Sequence, residues 1–195
     1  MPADRRSVLK SILAILLSAL AGFLWWQRQQ HPSLRASNER NASACLKILA
    51  AAEVEFRTND RDRNGIKDFW TGDVTGLFAH GALIDSHLAH MDSRPIMPPG
   101  SPPWGQWGYY LVAMDVDESQ SPPEELRQET DKTSGKVHHL TKFALCAYPA
   151  EYGVSGRQTF IINEGATIYK CDTGGRPVLR WPGEKDLLAE WIPLD

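Results

Sequence analysis

Cysteine is scarce in this chain: three residues in 195, with no C-x-x-C pair. So few cannot build a disulfide framework or a four-thiolate zinc site. The strong local signatures of catalysis are missing too. There is no H-E-x-x-H, no P-loop, no G-x-G-x-x-G and no G-x-S-x-G, so zincins, nucleotide-binding folds and serine hydrolases of the elbow type lose their usual support. Long runs of like charge are also absent. The formal net charge is −3. Residues 1–30 carry Arg5, Arg6, Lys10 and Arg28 against Asp4, which leaves the remainder at about −6. An acidic domain of that kind is not expected to bind nucleic acid.

What the chain does have is one long apolar run. Val8 to Trp26 holds a single charge, Lys10. As a helix these 19 residues rise about 28 Å, close to the roughly 30 Å of a bilayer's hydrocarbon core. Lys10 lies near the N-terminal end, where its ammonium can snorkel, and Trp25 and Trp26 close the other end as interfacial indoles. The run is apolar on every side, unlike a half-buried surface helix. The slight basic excess before it puts the N-terminal stub (1–30 with the anchor) at the cytoplasmic face and the domain 31–195 outside, in the periplasm. Membrane lipid is then the first partner.

Arg5-Arg6-Ser7-Val8-Leu9-Lys10 also resembles the twin-arginine export signal, with Ala19-Leu20-Ala21 as a small-x-small cleavage site. Cleavage there would leave Gly22-Phe23-Leu24-Trp25-Trp26 as an exposed apolar tail, so a retained anchor is the preferred reading. Either route ends outside the cytoplasm. One disulfide could form there, Cys45 with Cys146 or Cys146 with Cys171, although three free thiols is the expected state.

Past the anchor, His31 to Asn38 reads as a polar link around Pro32. A helix is expected over about 39–57, because Ala42, Cys45, Leu46, Leu49, Ala52 and Phe56 form one stripe. Residues 76–91 look helical but broken at Gly81, and 93–108 is rich in proline and glycine. Strands are expected over 109–115, 140–148 and 159–163. Glu164-Gly165 then turns the chain into 166–171. The stretch 117–136, acidic and rich in Ser, Pro and Glu, reads as a mobile loop. A short helix is expected near 184–190.

The loop Asn59 to Asp73 carries the most distinctive chemistry. Asp60, Asp62 and Asn64 stand at alternate positions, followed by Gly65, the Ile66 carbonyl and Asp68. This D-x-D-x-N-G-x-x-D spacing supplies the clustered oxygens that a hard cation such as calcium requires. It resembles an EF-hand loop up to its last ligand, where Thr71 replaces the bidentate Glu and Asp73 is the nearest substitute. Weak calcium binding is therefore the expectation, against a plain solvated Asx turn. His87 and His90 are one turn apart, but solvated surface histidines explain them better. Ser155 falls in a glycine-rich turn with no placed base. Tyr109, Tyr110, Tyr148, Tyr152, Trp104 and Trp107 are expected to serve packing before any ligand platform.

Asp60-Arg-Asp-Arg-Asn-Gly65, Gly108-Tyr-Tyr110, Ala147-Tyr-Pro-Ala-Glu-Tyr-Gly-Val-Ser-Gly156 and Thr159-Phe-Ile-Ile-Asn163 occur in that order. Together they resemble a bacterial family of secreted proteins of unknown function whose heads are similar to pilins and pseudopilins, over roughly residues 40–181. The resemblance implies a fold and a location more than an activity, and the calcium-bound heads of major pseudopilins add a little weight to the acidic loop. The chain departs from a true prepilin in lacking the G-F-[ST]-x-[IL]-E site before its apolar run, so assembly by the standard pilus route does not follow.

The expected fold is thus α+β and pilin-like: a transmembrane helix, then an amphipathic helix on an antiparallel sheet. The expected role is a structural or interaction module with other protein subunits as partners. An exported periplasmic enzyme, such as a hydrolase, is the competing reading.

Overall fold

Helical periodicity early in the chain and strand alternation late in it dictate a long helix laid across a sheet. The structure is a computed structural model that describes residues 5–96, 105–131 and 136–194. Side chains are described for these apart from most of residues 5–31 and residues 129–137. Helix α1 runs without interruption from Arg5 to Asn59. The expected link at 31–38 is therefore helical: Pro32 removes one backbone donor, but the residues flanking it are good enough helix formers to carry α1 through. The side chains of Lys10, Trp25 and Trp26 lie outside those described. Among the residues whose side chains are described, which leave out the run Val8–Trp26 apart from Ser18, no helix is long and apolar enough to cross a membrane.

From Asn38 onward one face of α1 is buried, through Ala42, Cys45, Leu46, Leu49, Ala52, Glu53 and Phe56. It packs on a five-stranded antiparallel sheet. Its strands are β2 (Tyr109–Ala113), β7 (Ala144–Pro149), β8 (Thr159–Asn163), β9 (Tyr169–Cys171) and β11 (Ile192–Pro193), in the order β11-β9-β8-β7-β2. Register follows the two-residue period. Leu111, Leu145, Ala147, Phe160 and Ile162 face α1, while Val112, Ala144, Cys146 and Ile161 face a second core with Trp181 and Trp191. The C-terminal segment, with helix α4 (Glu184–Glu190), covers that second face.

Along the chain between α1 and β2 come β1 (Phe69–Trp70), α2 (Thr75–Ala79) and α3 (Ser86–His90). The break at Gly81 is real, with φ +117°. Gly76 in α2 is needed for closeness, since a Cβ there would fall 2.0 Å from the Trp70 indole.

The stretch 117–136 corrects the sequence reading most clearly. It is not a plain loop: β3 (Val116–Asp117), β4 (Glu124–Glu125), β5 (Gln128–Asp131) and β6 (Lys136–His139) occupy its described parts. β6 pairs with β1, and β3 pairs with β4 and with β10 (Arg180–Trp181). Lys142 pins this region, its Nζ lying 2.6 Å from Asp117 and 2.8 Å from Glu124. Burial alone would raise the Asp117 carboxyl, but hydrogen bonds from Lys142 and Ser119 and the ammonium's charge hold it below its usual range. His139 Nδ1 accepts from the Thr141 and Lys142 amides, so Nε2 carries the proton and faces Glu124 at 3.2 Å. Distant pairing, invisible to local composition, turns a solvated-looking segment into sheet.

All three cysteines are free. Cys45 and Cys146 cannot pair because they belong to cores on opposite faces of the sheet. β8 separates Cys146 from Cys171. Burial pushes the Cys146 thiol up to about 12, and burial with the nearby Asp85 charge pushes Cys45 to about 11, which keeps both unreactive.

Candidate functional site

The acidic loop begins where α1 ends. Asp60 accepts from the Asn64 amide at 3.1 Å and the Gly65 amide at 3.0 Å, and Asn64 Oδ1 accepts from the Ile66 amide at 2.7 Å. Asp60, Arg63 and Gly65 take φ values of +45°, +58° and +82°. This is a tight Asx turn that folds the loop back toward β1.

The turn brings two of the expected ligands together, but around an imidazole. His138 on β6 pairs with Trp70 on β1. Its Nε2 lies 3.5 Å from Asp62 Oδ2 and its Nδ1 3.2 Å from Asp68 Oδ1, with all three side chains fully buried. These are close polar contacts rather than aligned hydrogen bonds at the ring nitrogens. Trp70 meets the ring edge-on at 5.2 Å, and Phe56 lies 5.9 Å away. Among the described residues, no group of three or more His, Cys, Asp or Glu side chains is placed to hold a metal ion.

Asp73 serves a different site. Its Oδ1 accepts from Trp70 Nε1 at 2.9 Å and the Gly76 amide at 2.8 Å, and its Oδ2 accepts from the Ile96 amide. Asp92 likewise accepts from the Val74, Thr75 and Arg94 amides, and burial raises its carboxyl. Glu53 is fully buried on α1, where its Oε2 accepts from the Trp70 amide at 3.0 Å. Desolvation pushes its carboxyl well above the usual range, and the nearby Asp73 charge adds to that. In sequence His138 reads only as one of several scattered histidines, next to His139 in a strand, with nothing to tie it to the acidic loop. Glu53 carried a signal: a carboxylate inside an apolar stripe.

The other candidates disperse. His87 is exposed, and His90 Nδ1 contacts the Ser86 carbonyl on its own helix. The Ser155 hydroxyl closes a turn on the Glu151 backbone. Tyr109 faces α1 and donates to the Gln158 carbonyl at 2.8 Å, whereas Tyr110 stacks with Tyr148 at 5.7 Å on the sheet's other face. Strand alternation therefore divides these rings between the two faces of the sheet, which leaves no single platform among the described residues, and Trp104 lies outside them.

At the opposite end of the head, α1 enters through polar contacts with loop 150–158. Arg35 Nη1 donates to the Gly153 carbonyl at 3.1 Å, Asn38 Nδ2 to the Ser155 carbonyl at 2.9 Å, and Glu39 Oε1 accepts from the Arg157 amide at 3.0 Å. Gly156 is small because Tyr109 passes where its Cβ would be, 2.1 Å from the hydroxyl. Several clefts among the described residues are open to solvent. One of about 690 Å³ runs between the 172–182 segment and α4, past Cys171, Asp172, Arg176 and Trp191. Two others flank α1, near Lys47 with Phe160 and near Val54 with Phe143.

Such an arrangement defines a class by architecture alone: an α+β head built around the C-terminal half of a long helix, with its buried charges used internally. Residues 107–179 match the model of a family described as a protein of unknown function, DUF2950. The match is narrower than the stretch 40–181, covering the central strands but neither α1 nor the acidic loop. No curated protein matches this chain, and no solved structure does.

Proposed function

We propose that this chain is a membrane-anchored module with an extracytoplasmic head, pseudopilin-like in plan, whose role is structural or interactive rather than catalytic. The observation that carries the reading is the division of labour within α1. Residues 38–56 bury a stripe against the sheet, while roughly 30 helical residues precede Arg35, about 45 Å of helix, and include the apolar run Val8–Trp26. That run fits a bilayer's thickness. A filled core on both faces of the sheet further supports a module.

An exported hydrolase would want imidazole and carboxylate converging in an open pocket. Among the described residues the convergence at His138 is closed to solvent. Other protein subunits remain the partners this reading names. The test is fractionation with protease access in spheroplasts. The chain is expected in the membrane fraction, with its head digested by protease added outside. Recovery as an intact cytosolic protein would overturn the proposal.

A further inference from the structure

Where α1 enters the head, large apolar side chains face solvent together. Trp107 is 43% exposed, Tyr152 42%, Val154 38% and Leu34 54%. They share one end of the molecule because their neighbours touch. Gly108 lies against Ser155 and Asn38, the Ala150 amide donates to the Gly108 carbonyl, and Arg35 holds Gly153. Trp107 is held outward at a conformational cost, with φ +48° and ψ +27°, a left-handed geometry unusual for a bulky residue. Strain kept at an exposed aromatic residue points to a contact it serves. The same end carries Arg35, Arg157 and Arg176 with Glu39, Glu151 and Asp172, and Arg157 lies over the Tyr152 ring. The patch is thus indole, phenol and guanidinium in a setting of balanced charge.

We propose that this end of the head docks on the lipid headgroup layer of the membrane that holds α1. The inference rests on the anchor reading above and deepens it by naming what the head's base touches. Helix geometry supplies the spacing. From Trp26 to Leu34 the helix rises about 12 Å, and the headgroup layer on each side of a bilayer is about 5–8 Å deep. A helix tilt of about 20° brings one side of the base down to that layer. Trp, Tyr and Arg are the side chains that partition to such a boundary, apolar below and hydrogen-bonded above.

The experiment uses the full chain, reconstituted in phosphatidylcholine–phosphatidylglycerol vesicles that carry a headgroup nitroxide lipid. A fluorophore is placed through Val154→Cys or, as a distant control, Thr58→Cys, each with Cys171→Ser. Thr58 is exposed near the other end of α1, about 36 Å from Leu34. The expected result is flotation with the vesicles and strong quenching at position 154, with little at 58. Flotation with equal, weak quenching at both positions would overturn the docking and leave the anchor standing. Equal, strong quenching would mean a head lying flat on the lipid, and would also overturn it. Shielding at position 154 that grows with protein density, independent of nitroxide, would assign the patch to a second copy. Failure to float would overturn the anchor and the docking together.

Discussion

The two ends of the head handle polarity in opposite ways. At the acidic-loop end, the side chains of Asp62, Asp68 and His138 are fully buried and lie against one another. At the end where α1 enters, the polar contacts are single hydrogen bonds to backbone, while Trp107, Tyr152 and Val154 face water. Charge taken out of water must be matched internally, so it reports on stability. Apolar surface left in water has no such explanation within the chain, so it reports on a partner. The most conspicuous loop in the sequence is therefore the structural end, and the plainer one is the end that faces outward.

The sharpest way to break this contrast is His138→Ala. Removing the imidazole leaves a cavity beside Phe56 and Trp70 and takes a buried polar neighbour from two carboxylates, and the expected loss is about 3–5 kcal/mol in denaturant unfolding. A loss below about 1 kcal/mol would mean that water reaches the cluster, and the two ends would cease to differ.

Glu53 gives the same end a pH signature. Its folded carboxyl titrates above the unfolded value of 4.5. The folded state therefore holds a proton that the unfolded chain has released, and the favourable contribution is complete below pH 4.5 and lost as pH rises through the folded value. Glu53→Gln keeps an acceptor for the Trp70 amide and removes the titration. The variant is expected to match the parent at pH 4 and exceed its stability at pH 8. Parallel stability–pH curves for the two proteins would count against burial as the cause.

At the entry end a single hydrogen bond is at stake in Tyr109→Phe. Losing the donation to the Gln158 carbonyl should cost about 1 kcal/mol, read as a lower unfolding midpoint at unchanged slope. A cost like that of His138→Ala would erase the asymmetry. Calcium tests the acidic loop more gently. With Asp62 and Asp68 turned to His138 and Asp60 turned to backbone amides, millimolar calcium should move the melting temperature by less than about 1 °C against chelator. A rise of several degrees would restore the loop as a cation site.

The parts of this structure that could be read beforehand are those where local pattern and tertiary fate agree. The stripe Ala42–Phe56 is buried as its periodicity demands, and β8 and α4 fall at 159–163 and 184–190 as expected. What local pattern conceals is pairing at a distance. β6 becomes a strand by pairing with β1, nearly 70 positions earlier, although the acidic, serine-rich residues before it read as loop. The loop Asp60–Asp68 shows the same limit at a site. Its D-x-D-x-N-G spacing specifies a tight turn correctly, but whether those carboxylates meet a cation or a side chain depended on His138, which no local motif links to them.

The smallest expected effect on stability is the most informative about the outward-facing end. Trp107→Ala removes a half-exposed ring held in left-handed backbone. Little burial is lost, and the strain eases only partly, so stability should change by no more than about 0.5 kcal/mol. In the vesicle experiment the same substitution should nonetheless weaken quenching at position 154, because the indole is the side chain there best suited to the lipid boundary. Loss of stability near 2 kcal/mol would instead make Trp107 a core residue caught at the surface. The two ends would then be alike, each holding its side chains for the fold alone.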